Sequence, residues 1–349
     1  MQKLHLLALL TCIAFSGLSS AAKQEVKALY IPLADHYAAI IAYEKYRHHM
    51  QYANFQLEQM ADWDILRAKF LENKADMAFV MSPLALDMYS QQPSFKWLGL
   101  MHRDGNGLAI NHLLGSTIKL SNSRLSRKPD RSAAIAIRQH KTKKPVYVGV
   151  PHVLSTHTVV LYHYLKQQEL TLALQPNFQA DVLAMTVPPP RSPAFMLGNS
   201  NRNKAVAIQQ SLPWIDIVET GNFGRVAWYS KDVLTSEHGH VECIALATLI
   251  ALTKKEQAVM EVMGYIKQAG AYIEQARAAG NLDEIVAIVQ KHIPAHDTNT
   301  IKASLDPKLR VINYQRLDID KDGLKRIMDI AIEGQILKKA VDIDELAYE

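Results

Sequence analysis

Short apolar runs, each followed by a turn and then by a stripe of helical period, set the rhythm of this chain. Val26 to Ile31 reads as a strand that passes through Pro32 into a helix near Tyr37 to His48. Met77 to Met81 leads into Ser82-Pro83 and a helix, and Val146 to Val150 leads through Pro151 into a helix near Thr156 to Lys166. Val182 to Val187 runs through three prolines into Ser192-Pro193 and a further helix. Strands alternating with helices of this size predict an α/β architecture with mostly parallel sheets. No period of 20 to 50 residues recurs, which excludes a solenoid or propeller. In the C-terminal third Val259, Val262, Ile266, Ala269, Ile273 and Ala276 form one apolar stripe on a long helix. The Ala-rich stripe lacks the basic flank of a membrane-lying helix and predicts core packing.

Two helix starts share one design. Ser82-Pro83 and Ser192-Pro193 each read as an N-cap Ser followed by Pro at the first helical position, directly after a strand. The crevice beyond strand C-termini is where open α/β sheets bind ligands, opposite the positive ends of helix dipoles.

The first residues change the compartment. Lys3, an apolar run from Leu4 to Phe15 and the small residues Ser19-Ser20-Ala21-Ala22 have the layout of a secretory signal peptide. Cleavage is expected near Ala22, giving an exported, periplasmic protein with no membrane span in the mature chain. Leu10-Thr11 is a poor lead-in for a lipid anchor at Cys12, and loss of Cys12 leaves Cys243 alone, without a disulfide. Cys243 sits in an apolar run and reads as a buried, inert thiol.

Composition narrows the class further. The chain has 349 residues, 48% hydrophobic and 21% charged, with only 15 Gly and 14 Pro, which excludes global disorder and collagen-like chains. The net charge of +5 is local: nine Lys and Arg against one acid crowd Lys119 to Lys144. That segment reads as a solvated helix-and-loop insertion. Nucleic acid is not expected, because no aromatics interleave the basic residues.

Asp318 to Gly323 matches the front half of an EF-hand, but Asp329 stands at the twelfth position and Lys325 at the eighth, so helix capping is the better reading. His238, His240 and Glu242 alternate, a spacing that would place them on one side of a strand as a minor metal candidate. No metal or other cofactor is otherwise expected. Arg103 to Gly107 reads as a tight turn with an internal ion pair. Nucleophile elbow, Walker loop, His-Glu-x-x-His and dinucleotide fingerprints are missing, which lowers the case for an enzyme.

A strand ending in Ile31-Pro32-Leu33-Ala34-Asp35-His36-Tyr37 and the segment Lys74 to Leu86 resemble periplasmic substrate-binding proteins. The similarity is greatest to the nitrate/bicarbonate/sulfonate class of ABC importers, which includes binders of thiamine-precursor pyrimidines. Val148 to Leu165, Val187 to Gly198 and Leu212-Pro213-Trp214 continue the likeness in order through nearly the whole mature chain. The resemblance implies a type II binding-protein fold: two doubly wound α/β lobes joined by crossover strands, closing on a solute by a hinge. It implies a signal peptide at 1–22, lobe I at 23–110 plus 226–349 and lobe II at 111–225, with crossovers at Gly107 to Asn111 and Arg225 to Ser230. The partners implied are a small-molecule ligand and a separate membrane permease, the binding protein itself acting as a monomer.

Carried over by resemblance, the ligand contacts are Asp35, His36, Tyr37, Ser82, His152, Ser155, Thr156, Arg191, Ser192 and Trp214, and Arg103 joins them by its charge. Leu212 stands where the family commonly has an acidic residue two positions before that Trp. Helix N-termini with His36, His152, Arg103 and Arg191 suggest an anionic ligand; Asp35, Asp104, Glu219 and Glu242 leave a polar or aromatic solute open. The alternatives are a sensor input to a membrane kinase, a thiamine-pyrimidine enzyme, and a metal-dependent hydrolase using His238, His240 and Glu242.

Overall fold

The computed structural model describes residues 22–349; the signal-peptide reading and Cys12 lie outside the described residues. Thirteen strands run in chain order: β1 Gln24–Tyr30, β2 Ala53–Gln59, β3 Met77–Met81, β4 Phe95–Leu100, β5 Arg103–Asp104, β6 Asn106–Asn111, β7 Val146–Val150, β8 Leu172–Ala173, β9 Val182–Thr186, β10 Val206–Ser211, β11 Gly224–Tyr229, β12 Cys243–Thr248 and β13 Ile312–Asn313. They build two main sheets, of order β2-β1-β3-β12-β4 and β11-β6-β10-β7-β9-β8, and a small β13-β5 ribbon.

Within the first sheet β1 lies parallel to β2 and β3, while β12 runs antiparallel between β3 and β4. Within the second, β10, β7, β9 and β8 are parallel, and β6 runs antiparallel between β10 and β11. The chain leaves the first sheet after β4 and rejoins it at β12; β6 and β11, beside the expected crossovers, pair with each other. Helices cover the sheets, so β3, β6, β10 and β12 are buried along their whole length. Continuous apolar runs such as Met-Ala-Phe-Val-Met, rather than alternating ones, are what such doubly covered strands require.

The long helix Leu249–Ala278 buries the whole predicted stripe, Val259 through Ala276. It bends at Lys255, whose φ of −149° is not helical. The helix after β1 spans Tyr37–Ile41 and continues as a wider, π-helical turn over Ala42–Tyr46.

Local expectations fail at four places. Ser82 and Ser192 are not caps: Met81 and Arg191 hold the cap positions, neither with a side-chain bond, and both serines are already helical. The proline after each removes a donor at the second position instead of the first, and the serine hydroxyls are freed. Arg103 pairs not with Asp104 but with Asp320, at 2.6 Å, while Asp104 pairs with His240 at 2.8 Å. The basic segment is only partly a solvated face. Its helix Arg131–His140 exposes its charged residues but buries Ala133, Ala134, Ala136 and Ile137, Arg124 contacts Asp216 and Tyr229, and the buried Arg127 grips Glu219 and the Val226 carbonyl. Those two arginines pin the segment to the second sheet. Asp320 accepts from the Gly323 N–H as the N-cap of helix Lys321–Glu333, as expected of the EF-like run.

Candidate ligand-binding cleft

The ends of β1, β3 and β4 and the start of β12 point at the ends of β7 and β10 across a shut cleft. β12 is antiparallel to β3, so Cys243 pairs with Met81 and begins where β3 ends, next to Ser82. His102 follows β4, and Asp35 follows β1. From the second sheet come Thr156 and His157 after β7, and Gln209, Gln210 and Ser211 at the end of β10. All of these are buried.

Hydrogen bonds cross between the two halves. Ser211 Oγ donates to Asp35 Oδ2 at 2.8 Å, the Ala34 N–H to the Leu212 carbonyl at 2.9 Å, and Trp214 Nε1 to the Pro32 carbonyl at 3.0 Å. Asn106, which accepts from Gln209 at 2.7 Å within the second sheet, donates out of that sheet to Glu242 Oε2 at 3.0 Å. The hydroxyls of Ser82 and Thr156 meet at 3.4 Å.

Many polar atoms in this cluster have no partner. Asp35 Oδ1, both ring nitrogens of His102, His240 Nε2 and the Gln209 amide oxygen are buried without a hydrogen bond, while His157 Nδ1 and Glu242 Oε1 have only each other, at 3.3 Å. Each such group costs about 1–3 kcal/mol. A folded protein tolerates that concentration of loss at a site whose ligand makes the missing bonds.

Charge in the cleft is governed by burial. Burial pushes the Glu242 carboxyl well above its usual range, and the nearby Asp35 and Asp104 push it further. Burial resists ionisation of Asp35, but the facing imidazoles, His102 above all, bring its pKa below the ordinary value. Desolvation lowers His36 to about 4 and His157 to about 3, so both are neutral lone-pair donors at neutral pH. Burial raises the Cys243 thiol far above its normal value, with Asp35 adding to the effect.

The expected contacts sort into three groups. Asp35, Ser82 and Thr156 line the cluster, and the buried Ser192 hydroxyl is also unpartnered. Tyr37 and Trp214 form an aromatic wall on His296: the Tyr37 hydroxyl lies 2.9 Å from His296 Nδ1, and the Trp214 ring sits edge-on at 5.1 Å. Others are spent on structure. Ser155 caps the helix Thr156–Gln167, the His36 ring closes its own turn on the Ile31 backbone, and His152 accepts from the Leu154 N–H with its far nitrogen 3.4 Å from Asp64.

The two arginines behind the anionic expectation lie elsewhere. Arg191 is exposed, and Arg103 is committed to Asp320 and to the Gly239 and Arg316 carbonyls. Arg103 and His238 instead line a surface cavity of about 270 Å³ beside Asp322 and Arg326. His238 and His240 do not share a strand face: His238 is part-exposed in a turn, while His240 and Glu242 face the cluster with Nε2 and Oε2 3.7 Å apart. Gln209 and Ser211 carry no signal in the sequence that points to a site, and His102 and His157 stand out there only as two of several histidines in turns at strand ends.

Comparison with known proteins places this geometry. The NMT1-like family model matches residues 19–290. A ligand-binding component of an ABC-type import system from Staphylococcus aureus, solved with zinc bound, superposes with a TM-score of 0.70 at 16% identity, covering 93% of this chain and 97% of that one. The periplasmic nitrate-binding protein of Synechocystis PCC 6803 gives a TM-score of 0.73 at 16% identity, with 93% and 86% covered. The alkanesulfonate-binding protein of Xanthomonas axonopodis pv. citri, bound to MOPS, gives 0.68 at 12% identity over 94% and 99%. These likenesses establish the periplasmic binding-protein fold. No curated protein matches the chain.

Proposed function

The chain belongs to the NMT1-like family, and from that premise we propose that it is the solute-binding component of an ABC importer, trapping a small ligand between two α/β lobes by hinge closure. The observation that carries this reading is the shut cleft, where the two sheets meet through a buried polar cluster whose bonding capacity is only partly met. A ligand that contacts both lobes favours the closed state by its differential affinity. Lobe I is read as residues 23–110 with 226–349 and lobe II as 111–225, hinged where β6 and β11 run side by side. The chain acts as a binder rather than a catalyst, as the nitrate-binding and alkanesulfonate-binding proteins do by name. Among the described residues no helix is long and apolar enough to cross a membrane; on this reading the binding protein works in the periplasm and delivers its solute to a permease carried on another chain.

The test begins with native mass spectrometry of protein purified from its own periplasm, to weigh what stays bound. Uptake of that species in a strain lacking the gene is then compared with the parent. Loss of uptake, restored by the gene, is expected. Normal uptake with altered signalling would replace the importer by a sensor; no bound species and no uptake defect would overturn both.

A further inference from the structure

We propose that Asp35, His102 and Cys243 form a binding site for a divalent transition-metal ion of the zinc class, and that this ion is what the closed cleft traps. The second clause rests on the solute-receptor reading; the site itself rests on geometry.

Three donors of different softness converge at one edge of the first sheet, Asp35 after β1, His102 after β4 and Cys243 at the start of β12. One ligand atom from each lies within 4.8 Å of the other two, and all three side chains are buried. Asp35 Oδ2 is 3.6 Å from His102 Nε2 and 3.9 Å from Cys243 Sγ. The first distance is beyond a hydrogen bond, and the second is at most a weak S–H contact. Both lie a few tenths of an ångström outside the edges of a tetrahedron around zinc, about 3.3 Å for O···N and about 3.5 Å for O···S when Zn–O and Zn–N bonds are near 2.0 Å and Zn–S near 2.3 Å. Small adjustments of χ angles would close the remainder.

His102 supplies the independent observation. Its ring is fully buried, and neither nitrogen has a hydrogen-bond partner. Gly105, at φ +99°, backs the ring so closely that a Cβ there would lie 3.0 Å from Nδ1. The imidazole is thereby packed with Nε2 aimed at Asp35. Asp35 is held in turn by the Ser211 hydroxyl at 2.8 Å, the outer support that a ligating carboxylate needs.

The donor set selects the ion. Thiolate and imidazole exclude magnesium and calcium, which prefer oxygen cages, and suit zinc and its neighbours. Three protein ligands leave a fourth position open for water or a donor carried with the ion. Binding would displace the Cys243 proton to solvent.

The test uses the exported full-length protein, stripped with a chelator and titrated with Co²⁺ and then Zn²⁺. One equivalent of Co²⁺ is expected, with tetrahedral d–d bands and a thiolate-to-cobalt charge-transfer band, and Zn²⁺ should displace it. Cys243→Ser should abolish the charge-transfer band, and His102→Ala should weaken binding by about tenfold or more. Where a variant fails to fold, X-ray absorption of the zinc-loaded wild type decides, a sulfur scatterer near 2.3 Å being required. Substoichiometric binding, or a zinc shell without sulfur, overturns the site. If the site fails while an organic solute co-purifies and its uptake depends on the gene, the receptor reading survives alone. If the site holds while zinc uptake is independent of the gene, the ion is resident rather than cargo, and the second clause of the proposal falls.

Discussion

A buried imidazole that stays neutral stores a pH dependence, and His296 shows it away from the polar cluster. Burial lowers its pKa to about 3, only partly opposed by Asp297, and the groups packed on it are the Tyr37 hydroxyl and the Trp214 ring. A histidine depressed in the folded state is protonated first in the unfolded chain, where its pKa is about 6.5. Between these values the unfolded state binds more protons, so stability is full above about pH 6.5 and falls as pH drops toward 3. His296→Gln keeps an acceptor for Tyr37 and removes the titration. Urea melts of the variant should show a shallower loss across that window, by up to about 1.4 kcal/mol per pH unit, with little change at pH 8. Parallel curves for the two proteins would show that His296 carries no proton linkage.

At the scale of elements, helix Lys321–Glu333 decides between two readings of one acidic run. Asp320 Oδ1 accepts from the Gly323 N–H at 2.9 Å and its Oδ2 pairs with Arg103 at 2.6 Å, so both oxygens serve the fold. Asp320→Ala should cost about 1–3 kcal/mol, a lost cap plus a weakened, partly exposed ion pair. Millimolar calcium should leave the melting temperature of the wild type unchanged; a calcium-dependent rise would restore the EF-hand reading.

The same scale shows what was legible. Met77–Met81 and Val146–Val150 were readable to the residue, because doubly covered strands are unbroken apolar runs bounded by turn residues. The helix starts at Ser82 and Ser192 were displaced by one residue, because a Ser-Pro pair is compatible with proline at either of the first two positions. His102 and Cys243 stand 141 positions apart in the chain and meet only because β12 inserts between β3 and β4. No local pattern encodes that insertion. The apolar flanks of Cys243 predict a buried thiol, which it is, but they do not encode the strand order that sets it beside His102.

Considered whole, the molecule is held shut by groups that belong to different sheets, and this makes the hinge testable without knowing the ligand. The Ser82 and Thr156 hydroxyl oxygens face each other at 3.4 Å, one at the start of the helix after β3 and the other at the start of the helix after β7. Thiols at those positions would start from about that separation and would have to approach to about 2.0 Å, the S–S bond length, to form a disulfide across the cleft. Ser82→Cys/Thr156→Cys, oxidised in the presence of whatever species co-purifies, should therefore lock the lobes together. The locked protein should exchange that species far more slowly than the same variant after reduction, and its radius of gyration in small-angle scattering should not change on dialysis. Reduction should restore both exchange and expansion. The comparison is internal to one variant, so any loss of contacts from removing the two hydroxyls affects both arms equally. Equal exchange from the oxidised and reduced forms would mean that the ligand enters without the lobes parting, and hinge closure would have to be abandoned.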